Sequence, residues 1–277
     1  MPKNRCLILT SGGLDSRLAV KIMQEQKYDV LALHFKLPFS KDIESEISQF
    51  CKSQKAKLKI INCTNGKLFQ EYLNIIRKPQ YGRGTCMNTC IDCKIFILKK
   101  AKEFANKLGI KITATGEVEG QRPMSQTKKS LDTIEEKIGL KGRIIRPLTD
   151  IYKIHGRRRD KQIALAKKFK ITYPSPGGGC LLCETLYCEK LKKILDEKLT
   201  FKDIELLKIG RHFKSSQIIL GKDDQENKFL EKQKGIKIIP KQPGPTALIK
   251  DKKHKAEAKK LIRKYSKHKI EGFETRG

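Results

Sequence analysis

From the start of the chain to about Ile145, short β-branched apolar runs alternate with longer stretches whose apolar residues recur every three to four positions. The short runs predict strands and the longer ones predict helices packed over them. Strands are expected at residues 6–10, 30–34, 58–62, 111–115 and 143–145, with helices at 17–26, 42–53, 67–77, 94–108 and 128–138. Such alternation implies an α/β domain with a parallel five-stranded sheet flanked by helices. Sheets of this kind bind ligands beyond the carboxyl ends of their strands. Polar, Gly-rich segments follow three of those ends, at residues 11–16, at 116–126 and after Ile145, and a fourth segment, 79–93, precedes a helix and can fold over the same edge.

A further helix is expected at 160–170. The string Tyr173-Pro-Ser-Pro-Gly-Gly-Gly-Cys180 then breaks regular structure. Beyond Thr200 the pattern changes to short strands at 217–220, 236–239 and 246–249, and a basic helix begins near His254. The expected organisation is a nucleotide-binding and catalytic domain over 1–198 and a smaller basic α+β domain over 199–277, within the usual range of domain sizes for 277 residues.

Charge changes the picture. Sixty-one Lys and Arg against thirty Asp and Glu leave a net charge of +31, a field that concentrates polyanions. The excess clusters at Arg157, Arg158, Arg159 and Lys161, and again over 251–269, which points to nucleic acid ahead of a merely solvated Lys-rich face. No apolar run approaches the roughly 20 residues that span a bilayer, so the expectation is a cytoplasmic protein with no membrane partner.

The string Ser11-Gly-Gly-Leu-Asp-Ser16 follows the first strand and opens a helix, where backbone N–H groups and the helix dipole favour an anion. Gly12 and Gly13 remove side chains, Ser11 and Ser16 add hydroxyl donors, and Asp15 supplies a carboxylate suited to Mg²⁺ against phosphate oxygens. A bare Gly-Gly pair would be an ordinary turn, but six residues in strand-to-helix context favour a phosphate site. The string lacks the Gly-Lys-Ser/Thr of a Walker loop and the Gly spacing of a Rossmann dehydrogenase.

It resembles the SGGxDS signature of PP-loop ATPases, adenine-nucleotide α-hydrolases of the PP-loop/HUP type that split ATP to AMP and pyrophosphate while adenylating a substrate. Asn88-Thr-Cys-Ile-Asp-Cys-Lys94, Ala114-Thr-Gly-Glu117, Gly120-Gln-Arg-Pro-Met-Ser-Gln126 and Pro174-Ser-Pro-Gly-Gly-Gly-Cys180 are similar to landmarks of thiouridine-forming tRNA sulfurtransferases. The resemblance runs from about Arg5 to Leu182. It implies ATP and Mg²⁺ as cofactors, tRNA as substrate, and a sulfur donor such as inorganic sulfide, a cysteine desulfurase or a sulfur carrier. Two cysteines, Cys90 and Cys93, stand where the classical 2-thiouridylases usually have one, and the N-terminal RNA-binding domain of the classical 4-thiouridine synthetases is not seen in this sequence. The segments Leu206-Leu-Lys-Ile-Gly-Arg-His-Phe213 and Pro243-Gly-Pro245 resemble an RNA-binding domain of ribosome quality-control proteins.

Nine cysteines fall into two clusters, Cys86, Cys90 and Cys93, then Cys180, Cys183 and Cys188, with Cys6, Cys51 and Cys63 isolated as small buried hydrophobes. Three readings of the clusters stay open. Cys90, Cys93 and Cys180 hold a [4Fe–4S] cluster by three irons, leaving the fourth open for sulfide, as in some thiolases that resemble this chain. Alternatively, Cys90, Cys93, Cys180 and Cys183 form a closed zinc site. In the third reading Cys90 and Cys180 work without metal, one as persulfide carrier and the other resolving it. Spacing and open coordination favour the first.

The catalytic set expected is therefore Asp15, Cys90 and Cys180, with Cys93 as third metal ligand. ATP-binding residues expected are Ser11, Gly12, Gly13, Asp15, Ser16, Gly116, where a glycine admits the nucleotide, and Arg122, suited to a phosphate. His34 at a strand end is read either as structural or as an adenine contact. A non-catalytic RNA-binding protein with structural zinc is the rival from another class.

Overall fold

The computed structural model describes residues 4–175 and 179–277. Its contacts divide the chain into two compact units, Met1–Cys183 and Glu184–Gly277. The first contains β1 (Arg5–Leu9), α1 (Leu14–Glu25), β2 (Asp29–Lys36), α2 (Glu44–Ser53), β3 (Lys57–Asn62), α3 (Gly66–Arg77), α4 (Cys90–Lys107), β4 (Ile112–Thr115), α5 (Lys128–Ile138), β5 (Ile144–Ile145), α6 (Pro147–Asp150) and α7 (Asp160–Lys168). Its five strands are parallel in the order β3-β2-β1-β4-β5. The expected parallel sheet is thus present.

Alternation along β1 explains its two-sided burial. Cys6 and Ile8 pack with Leu14, Leu18 and Ile22 of α1 and with Leu148 and Ile154. Leu9 turns to the other face, where Leu98 of α4, Ile134 and Ile138 of α5 and Ile144 form a second cluster. The strand order reverses between β1 and β4, which creates a crevice beyond their carboxyl ends. Because Leu9 pairs with Thr115, the segments that leave these two strands start side by side.

The second unit contains α8 (Thr185–Lys192), α9 (Phe201–Leu206), β6 (Arg211–Phe213), β7 (Ile218–Leu220), α10 (Asp224–Glu231), β8 (Ile236–Pro240), β9 (Ala247–Ile249), α11 (Lys255–Tyr265) and β10 (Phe273–Arg276). Its antiparallel sheet has the order β10-β8-β9-β7-β6. Ile218, Leu220, Ile238, Ala247 and Ile249 pack against Ala258 and Ile262 of α11, while Ile219 and Leu248 pack with Leu206 and Leu230. The contacts group α8 with this unit, although the sequence suggested a division at 198/199. The physical reason is specific: Tyr187 donates to the Ile204 carbonyl at 3.1 Å, and Lys190 donates to the carbonyls of Leu207 and Gly210 at 3.0 Å each.

Candidate active site

The phosphate loop is held from within. Arg17, buried, donates from Nε to the Gly12 carbonyl at 2.7 Å and from a terminal nitrogen to the Thr172 carbonyl at 2.8 Å, and its guanidinium lies 4.9 Å from the centre of the Phe50 ring. Ser16 Oγ donates to the Gly13 carbonyl at 2.9 Å, and the Ser11 hydroxyl reaches Ser16 Oγ at 3.4 Å. Gly12 has φ +76°, and a Cβ there would stand 2.8 Å from Ile47. A side chain is therefore excluded by both backbone and space. Gly13 caps α1 without any side-chain hydrogen bond, so the first helical N–H groups have no capping side chain.

Asp15 lies on the first turn of α1. Its Oδ2 accepts from Gln121 Nε2 at 3.1 Å and faces Arg159 at 3.9 Å, while Oδ1 is buried with no hydrogen-bond partner. Burial raises its pKa, and Gln121, Arg159 and Arg122 pull in the opposite direction without cancelling that rise. Asp15 thus presents a half-satisfied, partly buried carboxylate on the first turn of α1.

Gly116 serves this loop directly. A Cβ on it would stand 2.5 Å from the Ser16 nitrogen and 2.6 Å from the Asp15 carbonyl carbon, so the glycine admits the backbone of the phosphate loop itself. His34 is buried, with Nδ1 2.9 Å from the Thr10 carbonyl, and burial lowers its pKa. The neutral ring therefore donates from Nδ1 and props up the start of the loop. Arg122 is exposed, whereas Ser125 and Gln126 of the same segment are buried. Glu117 is also buried, paired with Lys94 at 3.0 Å and Arg146 at 3.6 Å, and accepts from Thr115 at 3.2 Å. Burial alone would raise its pKa; Lys94, Arg146 and Thr115 together outweigh that and leave it lowered. Its charge is thereby already matched by the protein.

The cysteines reach the same edge from other segments. Helix α4 must end near the amino end of β4, so its N-terminus lies at the carboxyl edge. Asp92 fixes the preceding segment there by accepting from the backbone N–H groups of Gln80 at 2.9 Å and Tyr81 at 3.1 Å. The helix begins at Cys90, four residues earlier than expected, which places Cys90 and Cys93 one turn apart on neighbouring positions. Asn88 donates to Cys90 Sγ at 3.5 Å and also approaches Met124 Sδ at 3.9 Å, a link to the segment after β4.

Cys180 is fixed by an isolated bridge to Ser40 and by the bond from Leu181 N–H to the Phe39 carbonyl at 2.8 Å. Part of the Pro174–Cys180 string, residues 176–178, lies outside the described residues. Burial pushes the Cys93 thiol up to about 11 and the Cys180 thiol up to about 12, a rise to which the nearby Cys93, Cys183 and Cys90 add.

Three thiols at one edge suit a thiophilic metal in chemistry. In arrangement, among the described residues, no group of three or more His, Cys, Asp or Glu is placed to hold a metal ion. Each thiol has its own neighbour instead: Asn88 for Cys90, Tyr72 OH at 3.2 Å for Cys93, and Cys183 for Cys180. Sequence reasoning did not single out Arg17, Gln121, Arg159 or Tyr72. Arg17 directly follows the SGGxDS string, Gln121 lies within a quoted landmark and Arg159 within a noted basic cluster, but nothing local marks Tyr72.

The model of the family described as "Thiamine biosynthesis protein (ThiI)" matches residues 2–175. The chain belongs to this family. Among curated relatives, a "tRNA-specific 2-thiouridylase MnmA" of a Nitratiruptor species is 27% identical over 201 residues, covering 68% of this chain and 58% of the relative. A "Probable tRNA sulfurtransferase" of Alkaliphilus metalliredigens is 30% identical over 151 residues, 54% of this chain and 37% of the relative. Another of that name, from Methanocaldococcus jannaschii, is 29% identical over 182 residues, 62% and 45% of the two chains. This ThiI-family chain thus spans from about a third to somewhat over half the length of these relatives. Among its described residues, no helix is long and apolar enough to cross a membrane.

Proposed function

We propose that this ThiI-family chain is an ATP-dependent tRNA sulfurtransferase that adenylates a base carbonyl and replaces its oxygen by sulfur. The observation that carries the reading is Asp15, whose buried, unpartnered Oδ1 stands in the phosphate loop on the sheet edge that also bears Cys90, Cys93 and Cys180. The names of the relatives supply the substrate class.

Residues 11–16 hold ATP, and Asp15 would hold Mg²⁺, which would offset phosphate charge. The base oxygen attacks the α-phosphorus and pyrophosphate departs. Sulfur on a cysteine then attacks the base carbon, and AMP leaves with the oxygen. Asn88, Tyr72 and the turn at Cys180 hold the thiols for this step. A [4Fe–4S] cluster on Cys90, Cys93 and Cys180 would supply an open iron for sulfide; the separate partners of the three thiols favour instead a persulfide on Cys90 or Cys180, whose S–S bond breaks as the other cysteine attacks the inner sulfur, leaving a disulfide that a thiol reductant reopens. Anaerobically purified protein with about four irons per chain would restore the cluster reading.

The second unit supplies the RNA surface. Helix α11 presents Lys255, Lys260, Arg263 and Lys264 to solvent, following Lys252 and Lys253. Lys259 and Arg263 also lie 5.3 and 5.0 Å from the centre of the Phe273 ring, which fixes their charge on the sheet's edge. The deciding assay is incubation of the protein with ATP, tRNA and a sulfur donor. AMP, pyrophosphate and a thiolated nucleoside detected by mass are expected, and absence of AMP formation overturns the reading.

A further inference from the structure

We infer that Cys183 is the entry point for sulfur, accepting a sulfane sulfur from a protein that carries a persulfide and passing it to Cys180. The inference rests on the proposed thiolation reading, and it adds a sulfur-relay site and the class of donor that uses it.

Residues Leu181–Cys183 form a 3₁₀ turn, closed by the bond from Cys183 N–H to the Cys180 carbonyl at 3.1 Å. In this geometry side chains three positions apart eclipse each other. The turn therefore sets the two side chains on one side, close enough for each thiol to bear on the other's ionisation. Their exposure differs: Cys183 is open to solvent, while Cys180 is partly covered.

The turn is braced on all sides. Leu182 is buried and its carbonyl accepts from Met87 N–H at 3.0 Å, Leu181 N–H is bonded to Phe39, and the Cys86 thiol donates to the Cys183 carbonyl at 3.6 Å. An exposed cysteine on a loose loop is an oxidation liability. Here it is pinned against a second, more covered thiol, at the edge where the phosphate loop lies. A persulfide on the surface of another protein can reach Cys183 more readily than Cys180, whereas a small sulfur anion can reach both.

The transfer balances without an added oxidant or reductant. The donor's outer sulfur is taken by the Cys183 thiolate, which releases the donor's own cysteine as thiolate. The Cys180 sulfur, giving up its proton, then attacks the outer sulfur of the Cys183 persulfide. One S–S bond forms on Cys180 as the S–S bond on Cys183 breaks, and Cys183 leaves as a thiolate that takes up the proton.

The test loads the whole chain with sulfur from either of two probes, a cysteine desulfurase supplied with cysteine, or inorganic polysulfide, and locates the added sulfur by mass after alkylation. With the desulfurase, Cys180→Ser should trap the sulfur on Cys183, and wild type should carry it on Cys180. Cys183→Ser, at an exposed position, should load Cys180 about tenfold more slowly from the desulfurase because the positioned neighbour is lost, yet load normally from polysulfide. Cys183→Ser loading from the desulfurase at the wild-type rate, or no sulfur trapped on Cys183 in Cys180→Ser, overturns the relay. Because loading is read on the protein alone, a wild type that relays sulfur but never thiolates tRNA would sink the thiolation reading and leave the relay standing.

Discussion

Around the phosphate loop Thr10, Ser11, Ser16 and Arg17 bond within a few residues of one another, with longer reaches only from Asp15 to Gln121 and from Arg17 to Thr172, whereas the thiols are gathered from two distant segments, 86–93 and 180–183. The loop stores its tension in one place, the buried Oδ1 of Asp15. The cysteine edge stores its own as covered thiols whose pKa values are raised by burial. One side is a half-partnered charge, and the other holds thiols, Cys93 and Cys180, kept neutral by burial. The two should therefore fail separately.

The largest separation is expected from Cys180→Ser. Thiolation should fall below detection while ATP-dependent AMP formation persists, because the serine cannot carry sulfur but leaves residues 11–16 untouched. If AMP formation vanished as well, the two halves would be one device and the contrast would break. Asp15→Asn is the converse. It should lower AMP formation on the order of 10²–10³-fold, the several kcal/mol that a metal ligand supplies to phosphoryl chemistry, and leave sulfur loading of the cysteines intact.

The same variant has a stability signature. Burial raises the Asp15 pKa above its unfolded value, so its contribution to stability is full when the carboxyl is protonated and is lost as pH rises through the folded pKa. At neutral pH the ionised side chain is a burden that asparagine lacks. Asp15→Asn should melt higher than wild type near pH 7, and the gap should close as pH falls into the carboxylate range. A variant that melts lower at pH 7 would mean the charge is already compensated.

A smaller effect, confined to the loop, is expected from Gly116→Ala. The added methyl meets the backbone of Asp15 and Ser16 instead of a flexible side chain, so overpacking should cost about 1–3 kcal/mol. Thermal melting and ATP titration check it. Weakened nucleotide binding with unaltered persulfide loading would sharpen the comparison, and unchanged stability would show that the two segments can separate freely.

How much of this was legible follows the same division. The strands and the loop 11–16 were readable because local alternation and adjacent residues build them. Gly116 could be picked out, but not its use: spacing cannot reveal that it faces Asp15 and Ser16, a hundred residues earlier, as well as any nucleotide. The start of α4 at Cys90 was hidden because Asn88, Thr89 and Asp92 read as turn formers, and only the folded chain shows Asp92 accepting from Gln80 and Tyr81. Tyr72 was invisible for the same reason, its hydroxyl meeting Cys93 from the far side of a loop. In the second unit, β6 (Arg-His-Phe) and β10 (Phe-Glu-Thr-Arg) are short and largely polar, whereas the equally short β7 and β9 are apolar throughout and so readable; α9 opens on a capping box at Thr200 and Asp203.

The finest test exploits pH from the opposite end. Cys93 and Cys180 ionise at about 11 and about 12 in the folded chain, against a usual value of 9.0 for the unfolded thiol. Between those limits the unfolded chain sheds protons that the folded chain keeps, so stability is full below pH 9 and declines as pH rises, by up to about 1.4 kcal/mol per pH unit for each such group. The informative quantity is therefore the difference in urea midpoint between wild type and Cys180→Ala, followed from pH 8 to pH 11. The gap should shift in favour of the variant as the solution becomes alkaline. In the same range Asp15→Asn, which leaves every thiol in place, should track wild type in parallel. A flat difference for Cys180→Ala would mean that its thiol is not held neutral by burial, and the contrast between a half-partnered charge and neutral thiols would lose its second half.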